Sequence, residues 1–204
     1  MEERLLRAQK SLEGHGIKTR IVSTAEEAKQ IILEEVQPGQ KVGIGGSRTI
    51  ESLDVVEGLE AKDCSIYWHW RGKTPEEVMA LRRGQLTSDV FLASSNAVTE
   101  DGRLVNIDGV GNRVAAMVFG PPKVILVCGQ NKVVPNLEAA FDRIHQVAAP
   151  KNAQRLNTGT PCGVAGQCND CNASGRMCRV TVIIDRCPSL TELEVILVRE
   201  NLGY

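Results

Sequence analysis

The sequence predicts an α/β protein built round a largely parallel sheet, and three observations predict it. Strand-like and helix-like segments alternate along most of the 204 residues, the order from which parallel sheets are assembled. Aromatic residues make up only 3 % of the chain, so Val, Ile, Leu and Ala must fill the core, as they do in a sheet covered by helices on both faces. One Asp101-Gly102 pair between two apolar runs marks a single tight hairpin inserted into that alternation. The length suits one domain spanning 1–204 with one sizeable core.

The segment to about Glu13 reads as an amphipathic helix ended by Gly14 and Gly16, and Ile17 to Val22 as a short strand. Thr24 with Glu27 forms a capping-box pattern, and Ala25, Ala28, Ile31, Ile32 and Val36 then recur at helical spacing until Pro38-Gly39. Lys41 to Ile44 is the next strand, Gly45-Gly46-Ser47 a turn, and Thr49 to Leu59 a helix. Cys64 to Trp68 is strand-like, and Thr74-Pro75 opens a helix that ends near Gly84. Strands follow at Val90 to Ala93 and on either side of Glu100-Asp101-Gly102, while Val114 to Val118 fits either type of element. Lys123 to Cys128 is a buried strand, and Pro135 opens a helix to about Ala149. After an irregular cysteine-rich loop at about 160–179, Val180 to Asp185 and Glu194 to Val198 are two strands expected to rejoin the sheet.

Charge excludes two classes of partner. Lys plus Arg number 24 against 25 acidic residues, interspersed without a basic stripe, so nucleic acid and anionic membrane surfaces are poor candidates. No apolar run approaches the roughly 18 residues of a membrane span, and the N-terminal segment mixes charges without an apolar signal core. A cytoplasmic location follows as the expectation, and with it reduced thiols.

Four of the seven cysteines lie within 17 residues, Cys162, Cys168, Cys171 and Cys178, spaced C-x5-C-x2-C-x6-C. Reduced thiols at that density point to a metal centre. Zinc ribbons show two Cys-x-x-Cys knuckles, whereas here there is one, and the intervening Gly and Asn residues let backbone N–H groups turn toward sulfur. The spacing favours a 4Fe-4S cluster, with zinc as the alternative. Cys187-Pro188 resembles the last ligand of a ferredoxin run but is separated from the others by a strand, and Cys64 and Cys128 fit small core positions.

Two further segments bear on binding. Gly43-Ile44-Gly45-Gly46-Ser47-Arg48-Thr49 runs from strand through turn to helix start, and matches neither a dinucleotide fingerprint nor a P-loop. It can be a tight turn capped by Ser47, or an anion cradle using Gly45, Gly46, Ser47 and Thr49, with Arg48 beside them. The run from Ser94 to Arg113 is dense in polar residues, with Asn96, Asn112 and Arg113 as binding candidates and Asp108, at a strand end, as a carboxylate for catalysis or an Asx-turn. Glu100 can act as a general base or simply as a hairpin-turn acid. His69, between Trp68 and Trp70, reads as structural, and His15 and His145 as surface residues.

The glycine turn, the run Ser95-Asn-Ala-Val-Thr-Glu-Asp-Gly-Arg-Leu-Val-Asn-Ile-Asp-Gly-Val-Gly-Asn-Arg-Val-Ala-Ala116 and the ending Val195-Ile-Leu-Val-Arg-Glu-Asn-Leu-Gly-Tyr204 together resemble the lactate-utilization protein family, the LUD domain. The resemblance implies a three-layer α/β/α sandwich similar to the ribose-5-phosphate isomerase, glucosamine-phosphate deaminase and CoA-transferase superfamily. It implies an iron–sulfur-containing component of a system that oxidises L-lactate to pyruvate, with partner subunits and a small anionic metabolite. Homo-oligomerisation is left open. The alternative is a stand-alone transferase, isomerase or hydrolase acting on a phosphorylated or CoA-linked metabolite, braced by zinc. Superfamily catalytic carboxylates do not map cleanly here: Asp108 is nearest in context and Glu100 in local wording.

Overall fold

The computed structural model describes all of residues 1–204. Six parallel strands form the central sheet: β1 (Lys18–Val22), β2 (Lys41–Ile44), β3 (Ser65–Trp68), β4 (Val90–Ala93), β7 (Lys123–Gly129) and β10 (Glu192–Val198). Their spatial order is β1-β10-β7-β4-β2-β3, and every adjacent pair is parallel. The remaining strands, β5 (Ala97–Thr99), β6 (Leu104–Asp108), β8 (Val133–Val134) and β9 (Val180–Ile184), make a second sheet in the order β8-β5-β6-β9.

The central strands show why they are central. Along β7 the side chains of Val124, Leu126 and Cys128 enter one core while Ile125 and Val127 enter the other, and β10 repeats the division with Leu193, Val195 and Leu197 against Ile196 and Val198. A strand apolar on both faces is stable only with a layer over each. On the first face that layer includes α1 (Glu2–Gly14), through Leu5, Ala8 and Leu12, and α6 (Asn112–Val118), through Val114, Ala116 and Met117. On the second face lie α2 (Ala25–Glu35), α3 (Arg48–Leu53) and α4 (Val56–Glu60), supplying Ala28, Ile32, Ile50, Leu53 and Leu59. Each fully buried Leu or Ile contributes on the order of 2 kcal/mol. The helix α5 (Pro75–Gln85) packs beside β3.

Several helix starts form as their sequences dictate. The Thr24 and Thr74 side chains accept from the N–H of Glu27 and Glu77, each at 3.2 Å. Other elements depart from the sequence expectation. The segment from Thr49 to Leu59 is two helices, because Asp54 takes a left-handed conformation (φ 49°) between α3 and α4. Val114 to Val118 is helical. The helix expected to end near Ala149 continues to Arg155 as α7 (Leu137–Arg143), a π-turn at Ile144–Ala148 and α8 (Ala149–Arg155).

Only one of the two C-terminal strands rejoins the central sheet. β10 is buried along six of its seven residues and enters between β1 and β7. β9 buries only Ile184 and pairs antiparallel with β6 at the edge of the second sheet, so the hairpin is part of a four-stranded layer. The cysteine segment between α8 and β9 includes a short helix, α9 (Pro161–Ala165).

Candidate functional site

A cleft of ≈ 560 Å³ opens at the carboxyl ends of the central strands, where open parallel sheets place ligands. Gly46 to Thr49 follow β2, His69 and Trp70 follow β3, Ser94 follows β4, and Lys132 lies in the turn after β7. Asp108 and Arg113 enter from the second sheet and α6, and Asn152 and Arg155 from α8.

Arg113 is the bracket between the layers. Its Nη1 donates to the Ser94 carbonyl at 3.0 Å and to Asn106 Oδ1 at 2.6 Å. Its Nη2 donates to Asn96 Oδ1 and to the Ile107 carbonyl, both at 3.1 Å. Those bonds occupy the guanidinium and the Asn96 side-chain oxygen, so both residues contribute to the scaffold, and Arg113 adds its charge to the cleft wall. Asp108 lies 3.8 Å from Arg113 Nε and accepts from the Val114 N–H at 3.4 Å. The glycine before the turn is dictated by the same bracket: a Cβ on Gly45 would stand 3.1 Å from Arg113 Cγ and from Phe91 Cζ.

The glycine turn combines a cap with a binding wall. Ser47 Oγ accepts from the Ile50 N–H at 3.2 Å, which makes it the N-cap of α3. Thr49 Oγ1 accepts from Lys132 Nζ at 2.8 Å, and Ser94 Oγ accepts from the same ammonium at 2.8 Å. Lys132 is 3 % exposed, and burial lowers its pKa from the ordinary 10.5 to about 8. No carboxylate is paired with it. Nothing in the local sequence distinguished Lys132, because its position depends on the turn after β7 reaching the segments that follow β2 and β4.

His69 also lines the cleft, where the sequence suggested a structural role. Gln85, fully buried on α5, donates through Nε2 to the Ile44 carbonyl at 2.8 Å and lies 3.1 Å from His69 Nδ1. Asn112 Nδ2 donates to Gln85 Oε1 at 2.8 Å. The Ile44 carbonyl requires the amide nitrogen on that side of Gln85, so His69 Nδ1 is an acceptor and its proton sits on Nε2. Burial first, and then the Arg82 charge, lower the His69 pKa to about 4, so the ring is a neutral donor at pH 7. Asn112, a binding candidate, lines the cleft itself while its amide nitrogen holds Gln85.

Glu100 stands apart from the cleft. It pairs with Arg4 at 3.1 Å and Arg7 at 2.6 Å, fastening the hairpin to α1.

The four clustered cysteines line one small cavity with His145, Thr160, Asn169, Asp170 and Arg176. His145, read from sequence as a surface residue, is brought there by the π-turn after α7. Arg176 holds the loop: it donates to the carbonyls of Cys171 and Cys178, the latter at 2.8 Å, and to Asp170 Oδ1 at 2.7 Å. The Asp170 N–H points to Cys168 Sγ at 3.5 Å. A side chain at Gly175 would meet the Thr158 carbonyl at 2.5 Å, so the loop closes only over glycine. Burial raises the Cys178 thiol, Arg176 opposes the rise, and the other three sulfurs add to it. Four cysteine sulfurs around one cavity offer the donor set of a cationic metal centre, which would hold them as thiolates. Cys187 lies elsewhere, its thiol donating to the Thr191 carbonyl at 3.2 Å.

Only Glu35, Glu192 and Glu194 bring three ligand atoms within 4.8 Å of one another. As a set the sulfurs are therefore spread wider than the roughly 3.8 Å contacts that tetrahedral zinc with four thiolates imposes. The glutamates are matched by Lys18, Arg20 and Lys123. The cysteine cavity and the cleft share Ala149, Met177 and Cys178.

The family model described as LUD domain matches residues 5–198. Among solved structures, the chain is similar to a DUF162 family protein from Deinococcus radiodurans, at 13 % identity and a TM-score of 0.57, with 97 % of each chain covered. No curated protein matches it. No helix is long and apolar enough to cross a membrane.

Proposed function

The chain belongs to the LUD domain family, and from that premise we propose that it is an iron–sulfur component of a lactate-utilization or related redox system. Cys162, Cys168, Cys171 and Cys178 are the ligands of a 4Fe-4S cluster in this reading, and the neighbouring cleft binds a small anionic metabolite. The observation that carries it is the shared wall: Cys178 and Met177 line both cavities. A cluster bound there supplies one-electron transfer. The chain's own part is to hold an anion beside it: Lys132 offers positive charge at the floor, His69 a neutral Nε2–H, and Arg176 keeps the cysteine loop closed. In this reading partner subunits in the cytosol complete the system, and the sandwich is kin to the ribose-5-phosphate isomerase, glucosamine-phosphate deaminase and CoA-transferase superfamily.

Anaerobic purification with iron, sulfide and zinc analysis and a visible spectrum tests the proposal. The expected protein is brown, bleaches on reduction, and loses most of its iron in Cys168→Ser while Cys64→Ser keeps it. A colourless protein with stoichiometric zinc overturns the redox reading. It would favour the second one, a transferase, isomerase or hydrolase for a phosphorylated or CoA-linked metabolite with structural zinc. The observation behind that alternative is Asp108 in a cleft whose other charged residues are all basic.

A further inference from the structure

The charged side chains lining the cleft are Arg48, Arg82, Arg113, Lys132 and Arg155, with Asp108 as the one carboxylate. Two of these cations lie deep, Lys132 at 3 % and Arg113 at 6 % exposure. The chain as a whole is almost neutral, at −1, so the excess is local. Buried charge is ordinarily paired, because an unpaired ion loses its hydration and gains nothing in return.

The cations are not equivalent. Arg113 has its donors occupied by the scaffold, Arg48 pairs with Glu51, and Arg155 bonds to Tyr204 and Asn152 while lying over the Trp70 ring. Lys132 and Arg82 differ from these. The Lys132 ammonium has three N–H bonds and two protein acceptors, both neutral hydroxyls. Arg82 Nε is buried without any partner, and its charge is felt at His69. Lys132 adjoins Thr49 at one end of the glycine turn. A Cβ on Gly46, at the other end, would lie 3.3 Å from His69 Cε1. The turn thus runs between an ammonium on one side and the His69–Arg82 pair on the other.

We propose that the cleft recognises an organic anion with at least two separated anionic groups, one received by Lys132 and the other by Arg82 with the His69 Nε2–H. This deepens, and rests on, the reading of the cleft as an anion site. It departs from a single three-carbon hydroxy acid as occupant. L-lactate carries one charge and would leave one of the two receptors empty, and a cleft of ≈ 560 Å³ falls in the range of far larger ligands. Carboxylate and phosphate groups both satisfy the chemistry.

The test is calorimetric titration at fixed ionic strength with citrate, pyrophosphate and L-lactate, with metal content measured on the same samples. Citrate or pyrophosphate should bind at least tenfold more tightly than L-lactate, and which of the two binds better separates carboxylate from phosphate recognition. Lys132→Met and Arg82→Met should each weaken that binding at least tenfold, and Arg71→Met, whose native partner Glu60 is outside the cleft, should leave it unchanged. Circular dichroism checks folding; if Lys132→Met fails to fold, Arg82→Met decides. L-lactate binding as tightly as the other two, no binding by either, or unchanged affinity in Arg82→Met overturns the proposal. Tight binding by iron-free protein would leave it standing while the redox reading fails. An iron-loaded protein that ignores both polyanions would fail this inference alone.

Discussion

At the amino ends of the central strands Glu35, Glu192 and Glu194 face Lys18, Arg20 and Lys123, three charges of each sign. At the carboxyl ends five cations line a cleft with a single carboxylate. Both groups include deeply buried ions, Glu194 at 0 % and Lys132 at 3 % exposure. Glu194 lies 2.8 Å from both Lys18 Nζ and Arg20 Nε, close in distance although neither pair is well aligned as a hydrogen bond. Lys132 has hydroxyls alone. One end of the sheet is neutralised by its own side chains, and the other is left to be neutralised by something that binds. Charge removal should therefore have opposite signs at the two ends.

The largest effect is expected at the balanced end. Glu194→Gln leaves Lys18 and Arg20, both partly exposed and still paired with Glu35, facing a neutral group, and urea unfolding should show a loss of about 2–3 kcal/mol. Lys132→Met removes an ion that burial disfavours, and the same measurement at pH 7 without ligand should show a gain of about 1–3 kcal/mol. Destabilisation of similar size by both changes would break the contrast.

The pH dependence sharpens it. Between about 8 and 10.5 the unfolded chain keeps the Lys132 proton that the folded protein has lost, so wild-type stability rises with pH across that window. The advantage of Lys132→Met should accordingly be full below pH 8 and fade by about 10.5. At the other end, bonding to Lys123 and Lys18 lowers the Glu35 pKa from 4.5 to about 2. Its contribution is present above pH 4.5 and lost as the pH falls toward 2. Denaturant midpoints across both windows, compared with Lys132→Met and Glu35→Gln, check the two signs.

The smallest change probes the bracket between the sheets. Gly45→Ala puts a methyl 3.1 Å from Arg113 and Phe91, and overpacking of that kind costs about 1–2 kcal/mol. Because Arg113 carries the cleft wall, polyanion binding should weaken along with the thermal midpoint. A loss of stability with unchanged affinity would detach the bracket from the site.

Much of the fold was legible in local pattern. Apolar runs bounded by turn residues located the six central strands, and Thr24 and Thr74 announced helix starts that the hydrogen bonds bear out. The boundary errors have local causes: a left-handed Asp54 splits one helix, and a π-turn carries another past Ala149. Assignment of Val180–Ile184 to the central sheet failed because a short apolar run does not say which sheet will accept it. Its partner β6 is about 75 residues away in sequence, and only the exposed Val180 and Ile183 mark it as an edge strand.

By itself the sequence determined the α/β class, the family and the four-cysteine segment, because each is written in contiguous residues: periodicity, a long polar run and thiol spacing. Tertiary structure alone decided which polar residues hold the scaffold and which face a ligand. Asn96 and Arg113 are consumed in joining the sheets, Glu100 is tied to α1, and Lys132 and His69 are turned into the cleft. The physical reason is that a charge or a donor acquires its role from what remains unpaired around it. That remainder is set by strands distant in sequence meeting at the carboxyl end of one sheet.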